Sequence, residues 1–226
     1  MMMSDSRVTA FENLMGWANS LAADNNRRGL EDLIKIVLRP VQAIQIRDAL
    51  LRPRHCGPQA LHWMSSFGKL WEGDAGEGTW AAFMLKHCRR AVEPNTSVRL
   101  ASDMVIPTLW SESSILNSLG MIGKGRELGE FVQETNHSLT LMQPLNIGWV
   151  NGGNHSIAQG ILSGEGELIP DDVYDVTEII KGVSFDGEFW FCRRTGEKLG
   201  SPIYAEFGWA WEIARFLIDL PRESTG

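Results

Sequence analysis

The chain is poor in tyrosine, cysteine and positive charge. Its 226 residues hold two tyrosines, three cysteines and 21 Lys+Arg against 28 Asp+Glu, a formal net charge of −7. The basic deficit argues against a general nucleic-acid coat, which carries a basic excess. Cys56, Cys88 and Cys192 are far apart, odd in number and without a Cys-x-x-Cys pair, so a reduced, cytoplasmic protein is expected. His55-Cys56 and His87-Cys88 lack the spacing of a zinc finger, and no metal is expected from them. No apolar run approaches the roughly 18 residues that span a bilayer, and the N-terminus lacks a signal core, so no membrane is expected. Internal repeats and low-complexity segments are also missing. What is abundant is tryptophan, nine residues, within 43% apolar content. That supplies a firm core for one large domain or a domain with an appendage.

Periodicity predicts helices over Ser6 to Asp24, from Leu30 to a closure or kink at Pro40, over Val41 to Leu51, Gly57 to Trp71 and Thr79 to Ala91. The first 95 residues therefore read as all helical. Glu72 to Gly78 reads as an acidic glycine loop without calcium-loop spacing. Arg47 with Arg52, Arg54 and His55 forms a basic patch that suits an anionic ligand or a solvated loop.

After a turn at Pro94-Asn95 the pattern changes. Val98 to Ile106 reads as β, and Ser111 to Leu119 as a short helix capped by Ser111 with Ser114, or by Glu112. Gly120 to Phe131 is a glycine-rich loop carrying Lys124 and Arg126. Ser138 to Met142 and Ile147 to Val150 read as a strand pair. Val183 to Arg194 reads as a hairpin turned at Asp186-Gly187, with Phe185, Phe189 and Phe191 on one face and Trp190 on the other. Ile203 to Leu220 is a mostly buried helix with a charged ridge of Glu212, Arg215 and Asp219.

The candidate site is the turn after the second strand of the pair, Asn151-Gly152-Gly153-Asn154-His155-Ser156, leading into a helix at about Asn154. Its glycines admit positive φ and close approach of a ligand. Asn154 or Ser156 can cap the helix, whose free N–H groups suit a phosphate or carboxylate. His155 titrates near neutrality. Ala158 and Gly160 allow close packing of the helix. Lys124 and Arg126 read either as charge supplied to an anion at Gly153 or as part of a mobile surface loop. Most of the carboxylates from Glu165 to Glu178 read as solvated loop charges; a metal-dependent nuclease would need two or three of them to converge on a divalent ion.

Gly152 to Ser156, followed by Ala158, resembles the motif of the ParB/sulfiredoxin-like superfamily, a strand, a Gly-x-[His/Arg]-Arg turn and a helix with small residues. The likeness covers roughly Val98 to Asp175. Asn154 stands where sulfiredoxins have their catalytic cysteine, and Ser156 where the superfamily has its phosphate-binding arginine. The resemblance implies an α+β fold with a helical N-terminal region (residues 1–95) packed on a small mixed sheet (residues 96–226). It also implies an uncharacterised bacterial branch that binds a nucleotide, with Mg as a possible companion, or another phosphorylated ligand. His155 would be the catalytic acid/base or phosphate contact, and Asn151, Gly152, Gly153, Asn154 and Ser156 the ligand-binding residues. Two other readings stand beside it. One is a non-enzymatic module of a mobile element or phage-related system that binds a protein partner or itself. The other is nucleic-acid binding through Arg47, Arg52, Arg54, Lys124 and Arg126.

Overall fold

The computed structural model describes residues 2–51, 70–71, 78–79, 84–93 and 95–221. The expected helix over residues 57–69, the acidic loop over 72–77, Arg52, Arg54, His55 and Cys56 lie outside these residues. The fold is α+β. By contacts the chain divides into two compact units that interleave along the sequence, rather than meeting at one cut near residue 95. The first takes Met1–Leu38, Trp63–Cys88 and Val176–Gly226, the second Arg39–His62 and Arg89–Asp175.

The first unit contains helix α1 (Met2–Ala23) and the start of α2 (Arg27–Leu51). Asn25 takes the left-handed conformation between them, and Asn26 Oδ1 accepts the Gly29 amide at 2.8 Å, capping α2. Strands β1 (Leu70–Trp71) and β2 (Gly78–Thr79) pair antiparallel, and Met84–Cys88 forms a single π-helical segment. The expectation that the first 95 residues are all helical is therefore corrected. Leu70 and Trp71, placed in a helix by their spacing, belong to a strand instead. Apolar spacing in so short a run does not distinguish the two.

Pro40 neither ends α2 nor divides it into two helices; it lies inside one continuous helix. Proline removes one ladder bond, to the carbonyl of Ile36, an exposed residue. The neighbouring Val37, Leu38 and Val41 are buried and hold the helix through that point.

The first unit resumes with α5 (Thr177–Gly182), a sheet of β10 (Val183–Phe185), β11 (Trp190–Cys192) and β12 (Lys198–Gly200), and α6 (Ala205–Asp219). The expected hairpin is present. Its face assignment is corrected, because Phe185 pairs directly with Trp190 and both are buried. Residues opposite each other on paired strands share a face, and the four residues Asp186 to Phe189 between the strands set that register. The Trp190 ring lies 4.9 Å from Phe185 and 5.6 Å from Trp211 of α6. Each fully buried tryptophan contributes up to about 5 kcal/mol at ~25 cal/mol per Å². Of the ridge on α6, Glu212 and Arg215 pair at 2.9 Å, and Arg215 also donates to Ile180 O and Val183 O.

The second unit is built on a five-stranded mixed sheet. Its strands are β3 (Arg89–Arg90), β9 (Asp172–Asp175), β6 (Ser138–Gln143), β7 (Ile147–Gly152) and β5 (Met104–Ile106), in that spatial order. The hairpin β6–β7 is antiparallel, while β5 on β7 and β9 on β6 are parallel. A two-stranded sheet of β4 (Val98–Arg99) and β8 (Glu167–Leu168) adjoins it in sequence. Helix α3 (Glu112–Ser118) connects β5 towards β6, and α4 (Asn154–Ser163) follows β7 directly. Ser111 caps α3 as expected, its Oγ accepting the Ser114 amide. One core joins Val105, Leu139, Leu141, Val150 and Val173 of the sheet to Ile157 of α4. Gly160 lets α4 approach Leu100, since a Cβ there would lie 2.6 Å from Leu100 Cδ1. No described helix is long and apolar enough to cross a membrane.

Candidate functional site

The turn after β7 forms where the sequence places it, with Gly153 left-handed at φ 70° and α4 starting at Asn154. The capping expectation is corrected, as neither Asn154 nor Ser156 caps α4. Asn154 is buried, and its Oδ1 accepts the Thr108 amide at 2.7 Å, tying the start of α4 to the segment after β5. Ser156 Oγ instead donates back to Gly153 O at 3.1 Å. Asn151 projects across the sheet, donating through Nδ2 to Thr140 Oγ1 at 2.8 Å.

The glycines serve packing inside the protein. A Cβ on Gly152 would lie 2.6 Å from Asn136 O, and one on Gly153 would lie 2.1 Å from His137 Cδ2. The hairpin register explains this placement: Ser138 opposes Gly152, so His137 comes to face Gly153. His137 is buried and stacked on Phe131 at 5.1 Å.

His137 Nε2 lies 2.6 Å from Ser156 Oγ, a separation that suits a serine–base pair. The other nitrogen rules that chemistry out. Nδ1 accepts the Glu134 amide at 2.8 Å, so it carries a lone pair and the neutral ring carries its proton on Nε2. His137 therefore donates to Ser156 and cannot act as its base. Burial lowers its pKa, which agrees with a neutral ring. The pair is a clasp between the residue before β6 and the start of α4.

His155 turns away from this clasp. Its Nε2 accepts the Ser111 amide at 3.3 Å, and its ring meets the edge of exposed Trp110 at 5.7 Å. The proton of the neutral ring is then on Nδ1, which has no partner among the described residues. Burial also lowers the His155 pKa.

On this side of α4 lies a cavity of about 450 Å³. It is walled by Gln42, Ala43, Ile46 and Arg47 of α2, by Leu109, by Ile115, Ser118 and Leu119 at α3, and by His155, Ala158, Gln159, Ile161 and Leu162 of α4. The lining is predominantly apolar, and Leu119 and Leu162 are exposed at its edge. Both amides are engaged within the protein. Gln42 accepts from Arg39 at 2.8 Å and donates to Val105 O. With its amide oriented to suit its neighbours, oxygen towards Arg126 and nitrogen towards Ser118, Gln159 donates to Ser118 O at 3.2 Å and accepts from Arg126 at 2.5 Å.

Neither Lys124 nor Arg126 makes a hydrogen bond to the turn among the described residues. Arg126 bonds Ile122 O and Gln159, and Lys124 is placed by its own amide, which donates to Glu165 Oε2 at 3.0 Å. Glu165 also accepts the Phe131 amide, so it braces the glycine loop. Asp171 accepts the Leu139 amide and Asp172 pairs with Arg89. Glu165, Asp171 and Asp172 thus hold backbone and strand ends. Among the described residues no group of three His, Cys, Asp or Glu side chains is placed to hold a metal ion.

Sequence reasoning missed His137, Thr108 and the cavity. His137 was recoverable in principle, since pairing the two predicted strands brings it opposite Gly153. The cavity left no local signal, because its walls come from three distant helices.

The profile of a protein family described as a family of unknown function (DUF6710) matches residues 3–224. No curated protein and no solved structure matches the chain.

Proposed function

We propose that this chain, which belongs to the DUF6710 family, is a ligand-binding protein that receives a small, largely apolar molecule in the cavity between α2, α3 and α4. In this reading it keeps the strand–turn–helix of ParB/sulfiredoxin-like proteins as a scaffold and uses the outer side of α4 as the binding wall. The hairpin β6–β7, parallel β5 and the left-handed Gly153 before α4 support the structural part of the reading. One observation carries the functional part: His155, the titratable residue of the turn, lines an apolar cavity of about 450 Å³. That volume lies within the ~300–1,000 Å³ range of small-molecule sites. The inner side of the turn is filled by His137, both of whose ring nitrogens are engaged. Binding without bond chemistry fits this arrangement better than phosphoester hydrolysis at Gly152 to Ser156.

The test uses the uncharged dye N-phenyl-1-naphthylamine, whose fluorescence rises in apolar surroundings. Ala43 is exposed at the cavity wall, so Ala43→Trp obstructs the cavity without entering the core. Saturable binding by the parent and its loss in Ala43→Trp are expected, with the urea midpoint unchanged. ATP with magnesium should leave the thermal midpoint of both proteins in place. A nucleotide that raises both midpoints equally would show a working site outside the cavity and overturn the cavity reading.

A further inference from the structure

We infer that the cavity selects a small organic acid, with its apolar body held between α3 and α4 and its anionic head at Arg47 and His155. This rests on the cavity reading above and adds the class of ligand. The hydrogen-bonding capacity left in the lining carries the argument. Gln42 and Gln159 are engaged on both sides of their amides. Ser118 Oγ donates to Ile115 O at 3.0 Å and so offers a ligand only lone pairs. Each amide keeps one further N–H, but both side chains are buried; in the more open lining two groups remain, among the described residues, that can donate. His155 has its Nδ1–H, fixed in that tautomer by the Ser111 amide. Arg47 is the one ionised side chain among the described lining residues.

Arg47 is suitably placed for a mobile anion. Its side chain is 61% exposed, and one nitrogen rests 3.2 Å from Asp48 Oδ1, whose side chain is 6% exposed. Asp48 thus orients the guanidinium while leaving other N–H donors of the planar fork for a second acceptor. Among the described residues neither Asp48 nor any other acidic residue lines the cavity. A ligand cation would meet the charge of Arg47 with no acidic side chain in the described lining to pair with. A neutral apolar ligand would leave the Nδ1–H of His155 without an acceptor when water is displaced. A carboxylate accepts from both groups.

The experiment compares two dyes with the same type of aromatic body. The anion is 1-anilinonaphthalene-8-sulfonate and the neutral control is N-phenyl-1-naphthylamine. The parent should bind the anion about tenfold more tightly, a difference of ~1.4 kcal/mol. Arg47→Gln should remove that preference while leaving the neutral dye unaffected, and Arg47→Lys should restore part of it. Octanoate should displace the anionic dye, and octanol should displace it much less well. Equal affinity for both dyes in the parent, or an anion preference that survives Arg47→Gln, would overturn the organic-acid inference and leave the cavity reading intact. Failure of both dyes to bind saturably would sink the cavity reading itself.

Discussion

Replacing Gly153 by alanine tests the interior of the turn directly. Two costs arise. The residue sits at φ 70°, where an L side chain is strained by about 1–2 kcal/mol. The new Cβ would also lie 2.1 Å from His137 Cδ2, so the ring must leave its place. That ring holds bonds to Glu134 N and Ser156 Oγ and stacks on Phe131. Losing two hydrogen bonds at about 1 kcal/mol each, with part of the stacking, adds roughly 2–3 kcal/mol. The total expected is about 3–5 kcal/mol. Gly164→Ala is the control. It has φ 69° at the other end of the same helix, with nothing within 4 Å of the new Cβ, so it carries the strain alone. Urea unfolding followed by tryptophan fluorescence gives both values. In a His137→Ala background, Gly153→Ala should cost no more than the control does, which isolates the contact as a coupling energy. Equal losses for Gly153→Ala and Gly164→Ala in the parent would refute the placement of His137 against the turn.

Three further outcomes are expected. Burial lowers the pKa of His137 and His155 in the folded chain, so the unfolded chain takes up protons first as pH falls below about 6.5. Their contribution is full above that pH, declines towards the folded values and levels off below them; urea midpoints at pH 7.5 and 5.5 should show the fall, and His137→Gln should make it shallower. Asn154→Ala removes the acceptor of the buried Thr108 amide and should cost about 1–3 kcal/mol in the same assay; a loss below 0.5 kcal/mol would mean that water or another group replaces it. Arg215→Met removes the cation paired with Glu212 and the guanidinium bonds to Ile180 O and Val183 O, while Trp211 Nε1 still donates to Val183 O and the Phe185 amide to Glu212; it should cost about 2–4 kcal/mol, with a null result pointing to redundant bonding around α6.

Local chemistry decided much of the second unit. Ser111 caps α3 because its hydroxyl reaches the Ser114 amide three residues on, an interaction complete within one turn of chain. Two β-rich runs separated by Pro144 to Asn146 became the hairpin β6–β7, and Gly153 supplied the left-handed residue from which α4 starts. Such features rest on energies between near neighbours in sequence, so the residues display them. Tertiary pairing decided everything that depends on who faces whom. The register of β6 on β7 put His137, not a ligand, against Gly153. The Thr108 amide drew Asn154 away from the capping role that its type favours. Burial of Val37, Leu38 and Val41 carried α2 through Pro40, where propensity alone calls for a break. The cavity beside His155 exists because α2, α3 and α4 converge from distant parts of the chain, and side-chain volume left unfilled at such a meeting has no counterpart in any local pattern.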